Sequence, residues 1–177
     1  MDKPSELETI GIGPIVSSSH LATGAMPAMS EMEYALIVAS NAFSRWMVRC
    51  MGAAGLDGLT HLEVLVLHSS NHRDREKTLG DLCVMLNIED THLVSYAIKK
   101  LVTMELVTTG KRGKEKTVII SPKGVDACAR YKEVREALLI SSVRSMGLND
   151  DDVSRVAGLL RAISGQYDQA SRGAASL

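Results

Sequence analysis

One segment of the chain, residues 78–121, constrains the fold most because its hydrophobic spacing changes within a short length. Apolar residues recur three or four apart, a turn residue intervenes, and the helical spacing then resumes. The segment ends in two short runs rich in Val, Thr and Ile around a basic glycine loop, which is typical of a β-hairpin. We therefore predict a helix, a tight turn, a second helix and a hairpin, in that order.

Capping and turn residues support this division. Thr78 is placed to cap the first helix, and Asn87 suits the left-handed turn that follows it. Glu89 and Asp90 supply negative charge and hydrogen-bond acceptors at the start of the second helix. The hairpin spans 106–121. This is the element order of a winged helix-turn-helix, in which one helix enters the DNA major groove and the hairpin lies on the flanking backbone.

The chain before this segment divides into an arm and two helices. Residues 1–29 have little periodicity and several Gly, Pro and Ser, so we interpret them as a flexible N-terminal arm. The sequence Ser30-Glu31-Met32-Glu33 has the form of a capping box and predicts a helix over about 30–52. A second capping box, Thr60 to Glu63, starts a helix that is apolar almost all round and should be central in the domain.

Two further helices are predicted after the hairpin, within about 122–170. Ser121 and Pro122 form a cap and first position, Gly147 is a stop, and Asn149 or Asp150 caps the last helix. The predicted fold is therefore mainly α with a small β-wing. A winged helix-turn-helix lobe occupies about 59–121, and residues 30–177 form a single domain.

Charge is distributed unevenly along the chain. The net charge is -1 overall, yet residues 1–70 carry three Lys and Arg against seven Asp and Glu, whereas residues 71–124 carry ten against seven. Within 111–124 there are five basic residues and one acid, Glu115. A local positive patch of this kind is what a site for a phosphate backbone requires. The alternative is a solvated basic loop.

The chain resembles the MarR family of bacterial transcription regulators from about Ser30 to Ala170. The similarity is carried by LGDLCVMLNIEDTHLVSYAIKKLVTMELV, followed by TVIISPKG at the entry to the next helix. Many members have an Asp-x-Arg motif in the wing; here Arg112 has no Asp two residues before it. The segment 88–101 is also one residue longer than the usual pattern. These departures indicate a divergent branch.

The resemblance implies a homodimer, with helices 30–52 and 122–170 as the dimerisation layer. Two recognition helices would enter successive major grooves of a pseudo-palindromic operator in double-stranded DNA. It also implies a pocket between the dimer layer and the DNA-binding lobe that binds a small aromatic or phenolic effector and thereby lowers DNA affinity. The expected activity is that of a repressor.

The expected DNA contacts lie on the second helix and the wing. Small polar groups near a helix N-terminus permit close approach to base edges, and lysines further along reach phosphate or guanine. Arg73, Arg75 and Lys77 are further candidates for phosphate contacts, and the alternative for them is a solvated charge run. The predicted DNA-binding residues are Thr91, His92, Ser95, Tyr96, Lys99, Lys100, Lys111, Arg112, Lys114 and Lys116.

The first long helix carries the candidate effector pocket, formed by Tyr34, Phe43, Trp46 and Met47. The alternative interpretation of this stripe is packing in the dimer or the lobe. Three dispersed cysteines, Cys50, Cys83 and Cys128, have no metal-ligand spacing, and we interpret them as structural in preference to redox sensors. The five histidines do not form a zinc pattern either.

The sequence gives less support to other functions. No phosphate-binding glycine loop or nucleophile motif is present, so we expect no catalytic residues, no cofactor and no metal. No apolar run approaches a membrane span and no secretory signal is evident, so we expect a cytoplasmic protein. The main alternative function is a winged-helix module for protein contact. A nucleoid-type non-specific DNA binder would be more basic overall.

Overall fold

The computed structural model describes residues 14–177. A short 3-10 helix, Ser19–Thr23, precedes the main elements. These are, in chain order, α1 Pro27–Ala53, α2 His61–Ser70, β1 Lys77–Thr78, α3 Leu79–Leu86, α4 Thr91–Thr103, β2 Val107–Arg112, β3 Glu115–Ile120, α5 Pro122–Arg135, α6 Ser141–Ser145 and α7 Asp150–Ala174. A π-helical turn, Glu136–Ile140, joins α5 to α6. The predicted fold class, mainly helical with a small β-wing, is confirmed.

The start of α1 differs from the prediction. The helix begins at Pro27, which has a fixed φ suited to the first helical position, and Ser30 lies one turn inside it. The Ser30 hydroxyl donates to the carbonyl oxygen of Leu21 at 2.6 Å, so it ties the 3-10 helix to α1 and does not cap the helix. Part of the predicted arm is thus helical, and residues 1–13 of the arm lie outside the described residues.

The helix boundaries within the lobe agree with the prediction. Thr60 and Glu63 form a reciprocal capping box, with Thr60 N donating to Glu63 Oε2 at 2.7 Å. Thr78 and Asp81 repeat the arrangement at the start of α3, and Asn87 takes the left-handed conformation (φ 52°) after it. Such caps stabilise a helix by about 0.5–2 kcal/mol each.

The wing belongs to a three-stranded antiparallel sheet in which β3 lies between β1 and β2. Val107 pairs with Ile120 at one end of the hairpin, and Arg112 pairs with Glu115 at the tip. The two-residue strand β1 was not predicted, because its Lys77 and Thr78 lie in a charged run without alternating hydrophobicity. Both residues are buried nevertheless, opposite Val118 and Thr117.

The core lies inside the winged lobe and against the second half of α1. Its fully buried side chains come from α1, α2, α3, α4, α5, the sheet and the turn before β2, and include Met51, Val64, Leu67, Leu82, Leu101 and Leu106. Gly124 at the start of α5 is required by close approach, because a Cβ there would lie 2.2 Å from the carbonyl oxygen of Leu106. The α7 helix, by contrast, has no buried residue.

Candidate DNA-binding interface

The recognition helix α4 turns its apolar side inward and its polar side outward. Val94, Ala97 and Leu101 are buried in the lobe. The Asp90 side chain caps the helix by accepting from the His92 backbone N–H at 2.9 Å. The opposite side carries predicted DNA contacts that are exposed or half-exposed: Thr91, His92, Ser95, Tyr96 and Lys99. This arrangement leaves a polar helix surface free to enter a groove.

Two of these side chains, Tyr96 and Lys99, lie close to each other. Tyr96 is 67% exposed, and the Lys99 ammonium lies 5.2 Å from the centroid of its ring. At that distance the cation is attracted by the electron-rich face of the ring, which restricts where Lys99 points. An exposed Leu93 lies on the same helix and was not predicted as a contact. Its only sequence signal was an apolar residue off the buried stripe.

Lys100 has a different role from the one predicted. Its ammonium donates to Glu63 Oε2 at 2.9 Å and to the Gly58 carbonyl oxygen at 2.5 Å, so the side chain is directed to the start of α2. Burial alone would raise the pKa of the Glu63 carboxyl, but the hydrogen bonds from Lys100 and Thr60 outweigh it and lower that pKa. We therefore omit Lys100 from the candidate interface.

The wing presents four exposed cations near one tip, namely Lys111, Arg112, Lys114 and Lys116. Gly113 at φ 64° makes the tight reversal between the strands, a conformation that L side chains rarely adopt. Lys111 and Lys116 are cross-strand partners, so their like charges repel. A phosphate group between them would relieve that repulsion, as expected of a surface that meets a DNA backbone.

Arg112 is contacted by an acid that the sequence prediction missed. Its Nη2 atom lies 3.8 Å from Asp81 Oδ2 on α3 and 3.8 Å from Glu115 Oε2 across the hairpin. The Thr78 backbone N–H lowers the pKa of the Asp81 carboxyl, and the neighbouring arginines Arg112 and Arg75 add to that effect. The only sequence signal for Asp81 was its place three residues after the helix cap.

A crevice of about 390 Å³ separates the recognition helix from the sheet. Ser95 and Lys99 of α4 face Lys116 of β3 across it, so three predicted contacts line one feature. Thr109 of β2 lines the crevice as well and was not predicted. The crevice also has apolar lining from Leu79, Ile98 and Val102, so polar and basic groups of the helix and the wing lie around an apolar floor.

The connector before β1 offers fewer exposed cations for phosphate contacts than predicted. Lys77 is fully buried, and its ammonium donates to the carbonyl oxygens of His72 and Arg75 at 2.6 and 2.5 Å. It therefore holds the connector together and is not available to a phosphate. Arg73 and Arg75 are exposed, and Arg73 has a left-handed backbone (φ 58°).

A second cavity, of about 620 Å³, lies between α1, α2 and α5. Phe43 and Met47 line it, as predicted for the effector pocket, but Tyr34 and Trp46 do not. Tyr34 is nine residues before Phe43, which places it roughly half a turn away around the helix axis. Trp46 is half-buried and packs against the core instead. The sequence prediction was therefore wrong for these two residues as lining of this cavity.

The cavity combines an apolar floor with titratable groups. His68 lies against Tyr131, with ring centroids 4.5 Å apart, and burial lowers the pKa of the imidazole. Its Nε2 atom has no hydrogen-bond partner among the described residues. Lys132 and Arg135 add positive charge at the rim. Such a cavity suits a ligand with an apolar body and an acceptor or anionic group.

The thiols near this cavity are in unreactive surroundings. Burial raises the pKa of Cys128, which lines the cavity, to about 11, and it raises that of Cys50 as well. Burial thus disfavours the thiolate, which is the reactive form, at both residues. Within residues 14–177 no cluster of His, Cys, Asp and Glu could hold a metal ion. No helix in that same range is long and apolar enough to cross a membrane.

The winged lobe matches a known protein family. The family described as "Winged helix DNA-binding domain" matches residues 59–124, which include α2, the recognition helix and the wing. This part of the chain is therefore similar to winged helix DNA-binding domains. Among curated proteins, no sequence matches the chain significantly.

Solved structures extend the similarity to most of the chain. A mutant MarR from E. coli complexed with operator DNA is 14% identical, covering 80% of this chain and 99% of that one (TM-score 0.63). MarR from Staphylococcus aureus in complex with salicylate and kanamycin is 14% identical over 84% of this chain and 97% of that one (TM-score 0.62). CouR from Rhodococcus jostii bound to p-coumaroyl-CoA is 14% identical over 76% and 92% (TM-score 0.59). The protein has the MarR-type winged-helix fold, as its sequence resemblance predicted.

Proposed function

We propose that this protein is a sequence-specific transcription regulator that binds double-stranded DNA as a homodimer. The observation that carries the proposal is the exposed polar side of α4 next to a wing with four cations, within a winged helix DNA-binding domain. Ser95, Tyr96 and Lys99 would read base edges in the major groove. The wing cations would contact the flanking backbone or minor groove.

The proposed homodimer would be formed through α1 and α7. The α7 helix repeats exposed apolar residues at helical spacing, with Val156 58% and Leu159 57% exposed, and Val153 and Leu160 beside them. Leu36, Ile37 and Val38 on α1 are exposed too. A stripe of this length stays in water only at considerable cost, so we assign a second copy of the chain as its cover. Two-fold symmetry would then match a pseudo-palindromic operator.

The cavity lined by Phe43, Met47 and His68 is the proposed effector site. It adjoins α1, which belongs to the proposed dimer layer, as well as α2 of the winged lobe and α5, so a ligand there would change how the lobe sits on α1. The S. aureus MarR and R. jostii CouR structures contain salicylate and p-coumaroyl-CoA, both with an aromatic ring. A small aromatic acid is therefore the proposed ligand class. Ligand binding would lower DNA affinity. Without ligand the protein would act as a repressor, and it would do so in the cytoplasm.

The test of DNA recognition is fluorescence anisotropy with the DNA upstream of the protein's own gene and with a scrambled duplex, each at two salt concentrations. We expect tight binding that prefers the upstream DNA and weakens with salt, because phosphate contacts release counterions. Equal, weak binding to both duplexes would contradict sequence-specific regulation. It would favour the alternative, a winged-helix module for protein contact.

Two further measurements test the remaining parts of the proposal. Light scattering coupled to size exclusion should give twice the chain mass of 19.1 kDa. Added salicylate should weaken binding to the preferred duplex, and the variant Met47→Trp, which fills the cavity, should abolish that response. A monomeric mass would contradict the dimer, and an unchanged response in the variant would contradict this cavity as the site.

A further inference from the structure

The four wing cations differ in the carboxylates that lie near them. Lys111, Lys114 and Lys116 have no carboxylate within ion-pair distance among the side chains that the structure describes, whereas Arg112 has two. One is Glu115, its own cross-strand partner in the hairpin. The other is Asp81, which belongs to α3 and reaches the wing from the helix-turn-helix part of the lobe. Arg112 is thus the wing cation with a contact outside the wing.

The Asp81 carboxylate is itself fixed in place. Its Oδ2 atom accepts a hydrogen bond from Thr78 N at 2.9 Å, while Asp81 N donates to Thr78 Oγ1 at 3.0 Å. Thr78 in turn pairs with Thr117 of β3. The same oxygen that completes the cap lies 3.8 Å from Arg112 Nη2. Because the cap and the sheet pairing hold this carboxylate, it is a fixed point of charge for a long, flexible side chain.

We propose that Asp81 is a positioning residue that orients the Arg112 guanidinium for DNA. The proposal rests on the proposed function, since it concerns how the same surface recognises DNA. Asp81 links the wing tip to the helix-turn-helix, so Arg112 meets DNA in a set register with the recognition helix. Glu115 cannot provide that register because it lies on the same hairpin as Arg112. Arg112 is expected to insert into the minor groove beside the site read by α4, where groove width is sequence-dependent.

The two carboxylates provide a matched pair of variants. Asp81→Asn and Glu115→Gln each remove one negative charge at the same distance from the same nitrogen. The amide oxygen introduced by Asp81→Asn can still accept from Thr78 N, so the helix cap is kept. Asp81→Glu keeps the negative charge. Each variant is measured by anisotropy on the upstream and scrambled duplexes, and far-UV circular dichroism with thermal unfolding reports the fold.

We expect Asp81→Asn to lower the ratio of upstream to scrambled affinity by roughly two- to fivefold, the range that an exposed ion pair supports. Glu115→Gln should raise both affinities together by removing a repulsive charge, and it should leave the ratio unchanged. In an Arg112→Ala background the effect of Asp81→Asn on the ratio should vanish. Asp81→Glu should keep the ratio close to that of the wild type.

Equal changes on both duplexes in Asp81→Asn would overturn the proposal, because they would show a general electrostatic effect. An equal fall in the ratio for Glu115→Gln would overturn it too, because the anchor on α3 would then be irrelevant. A wild-type protein without any preference for the upstream duplex would instead contradict the proposed function. The two failures are therefore distinguishable.

Discussion

The winged lobe and the α7 helix show two different ways in which this sequence uses its apolar residues. In the lobe, side chains such as Leu82 and Leu101 are fully buried by other elements of the same chain. In α7 the apolar residues are as regularly spaced, yet none is buried. Its side-chain hydrogen bonds to other elements include Tyr167 Oη to Glu33 at 3.0 Å and Asn87 Nδ2 to Asp168 at 3.5 Å. The core of the lobe is complete within one chain, whereas the apolar side of α7 stays exposed, and we propose that a second copy covers it.

The largest effect is expected from breaking the α7 surface. Leu159→Glu places a charge on the exposed apolar side and should convert the dimer into a monomer. DNA affinity should fall by about a hundredfold or more, because two linked recognition helices bind far more tightly than one. Light scattering and anisotropy on the upstream duplex measure the two effects.

Ser154→Glu is the matched control, since it adds the same charge at an exposed position of α7 about 140° around the helix axis from Leu159. It should leave both mass and DNA affinity unchanged. The lobe of Leu159→Glu should remain folded by circular dichroism. A dimeric Leu159→Glu protein would show that α7 is covered in some other way and would remove the contrast between the two regions.

The second largest effect is expected in the core of the winged lobe. Leu101→Ala removes a side chain that is 0% exposed and should lower the free energy of unfolding by about 2–5 kcal/mol, through lost burial and the cavity left behind. Val102→Ala, one residue later and 38% exposed, should change it by less than about 1 kcal/mol. Urea unfolding monitored by circular dichroism measures both. Similar losses for the two variants would mean that the lobe core is not the tightly packed region described.

The sequence was sufficient for much of the lobe because local signals and tertiary packing agree there. Thr60, Thr78 and Asn87 act at short range, and each adopts the conformation that its residue type favours. The start of α1 was mispredicted because Ser30 and Glu33 have the spacing of a cap but bond to Leu21 and Tyr167 instead. Leu21 lies nine residues before Ser30, and Tyr167 lies 134 residues after Glu33, so the four-residue cap pattern reports neither contact.

The sequence predicted which elements carry the candidate site, but it did not predict which of their side chains are held by other residues. Lys99 and Lys100 are adjacent and chemically identical, and only the packing of α4 against α2 distinguishes them. Lys77 was misjudged for the same reason, since its burial depends on how the connector folds over it. The link from Asp81 to Arg112 joins a helix to an edge strand much later in the chain. Long-range pairing of this kind leaves no periodic trace.

A smaller effect separates the two neighbouring lysines. Lys99→Ala should weaken binding to the upstream duplex by about 1–3 kcal/mol and relax sequence preference, because a contact to a base edge is lost. Lys100→Ala should change DNA binding little and should instead lower the stability of the lobe, since Glu63 loses its partner. Anisotropy on both duplexes and urea unfolding give the two readouts. Equal losses of DNA affinity would restore Lys100 to the interface.

The smallest expected effect concerns the pH dependence of stability at His68. Burial holds the pKa of its imidazole below the ordinary value of 6.5, so the unfolded chain binds a proton more readily than the folded one. Stability present above pH 6.5 should therefore decline as the pH falls through 6.5, until the pH is below the pKa of the folded state. Urea unfolding between pH 8 and pH 5 measures the decline, at roughly half-unit steps.

His68→Gln should flatten this profile, because the replaced side chain does not titrate. His72→Gln, at an exposed position on the connector, should leave it as in the wild type. An aromatic acid in the cavity would place an acceptor near the unpartnered Nε2 atom and favour the protonated ring, which raises the pKa of the folded state, so salicylate should make the decline smaller. A profile that is identical in His68→Gln and the wild type would show that His68 does not govern acid stability. It would also weaken the case that this half-buried ring, which lines the cavity between α1, α2 and α5, senses a bound acid.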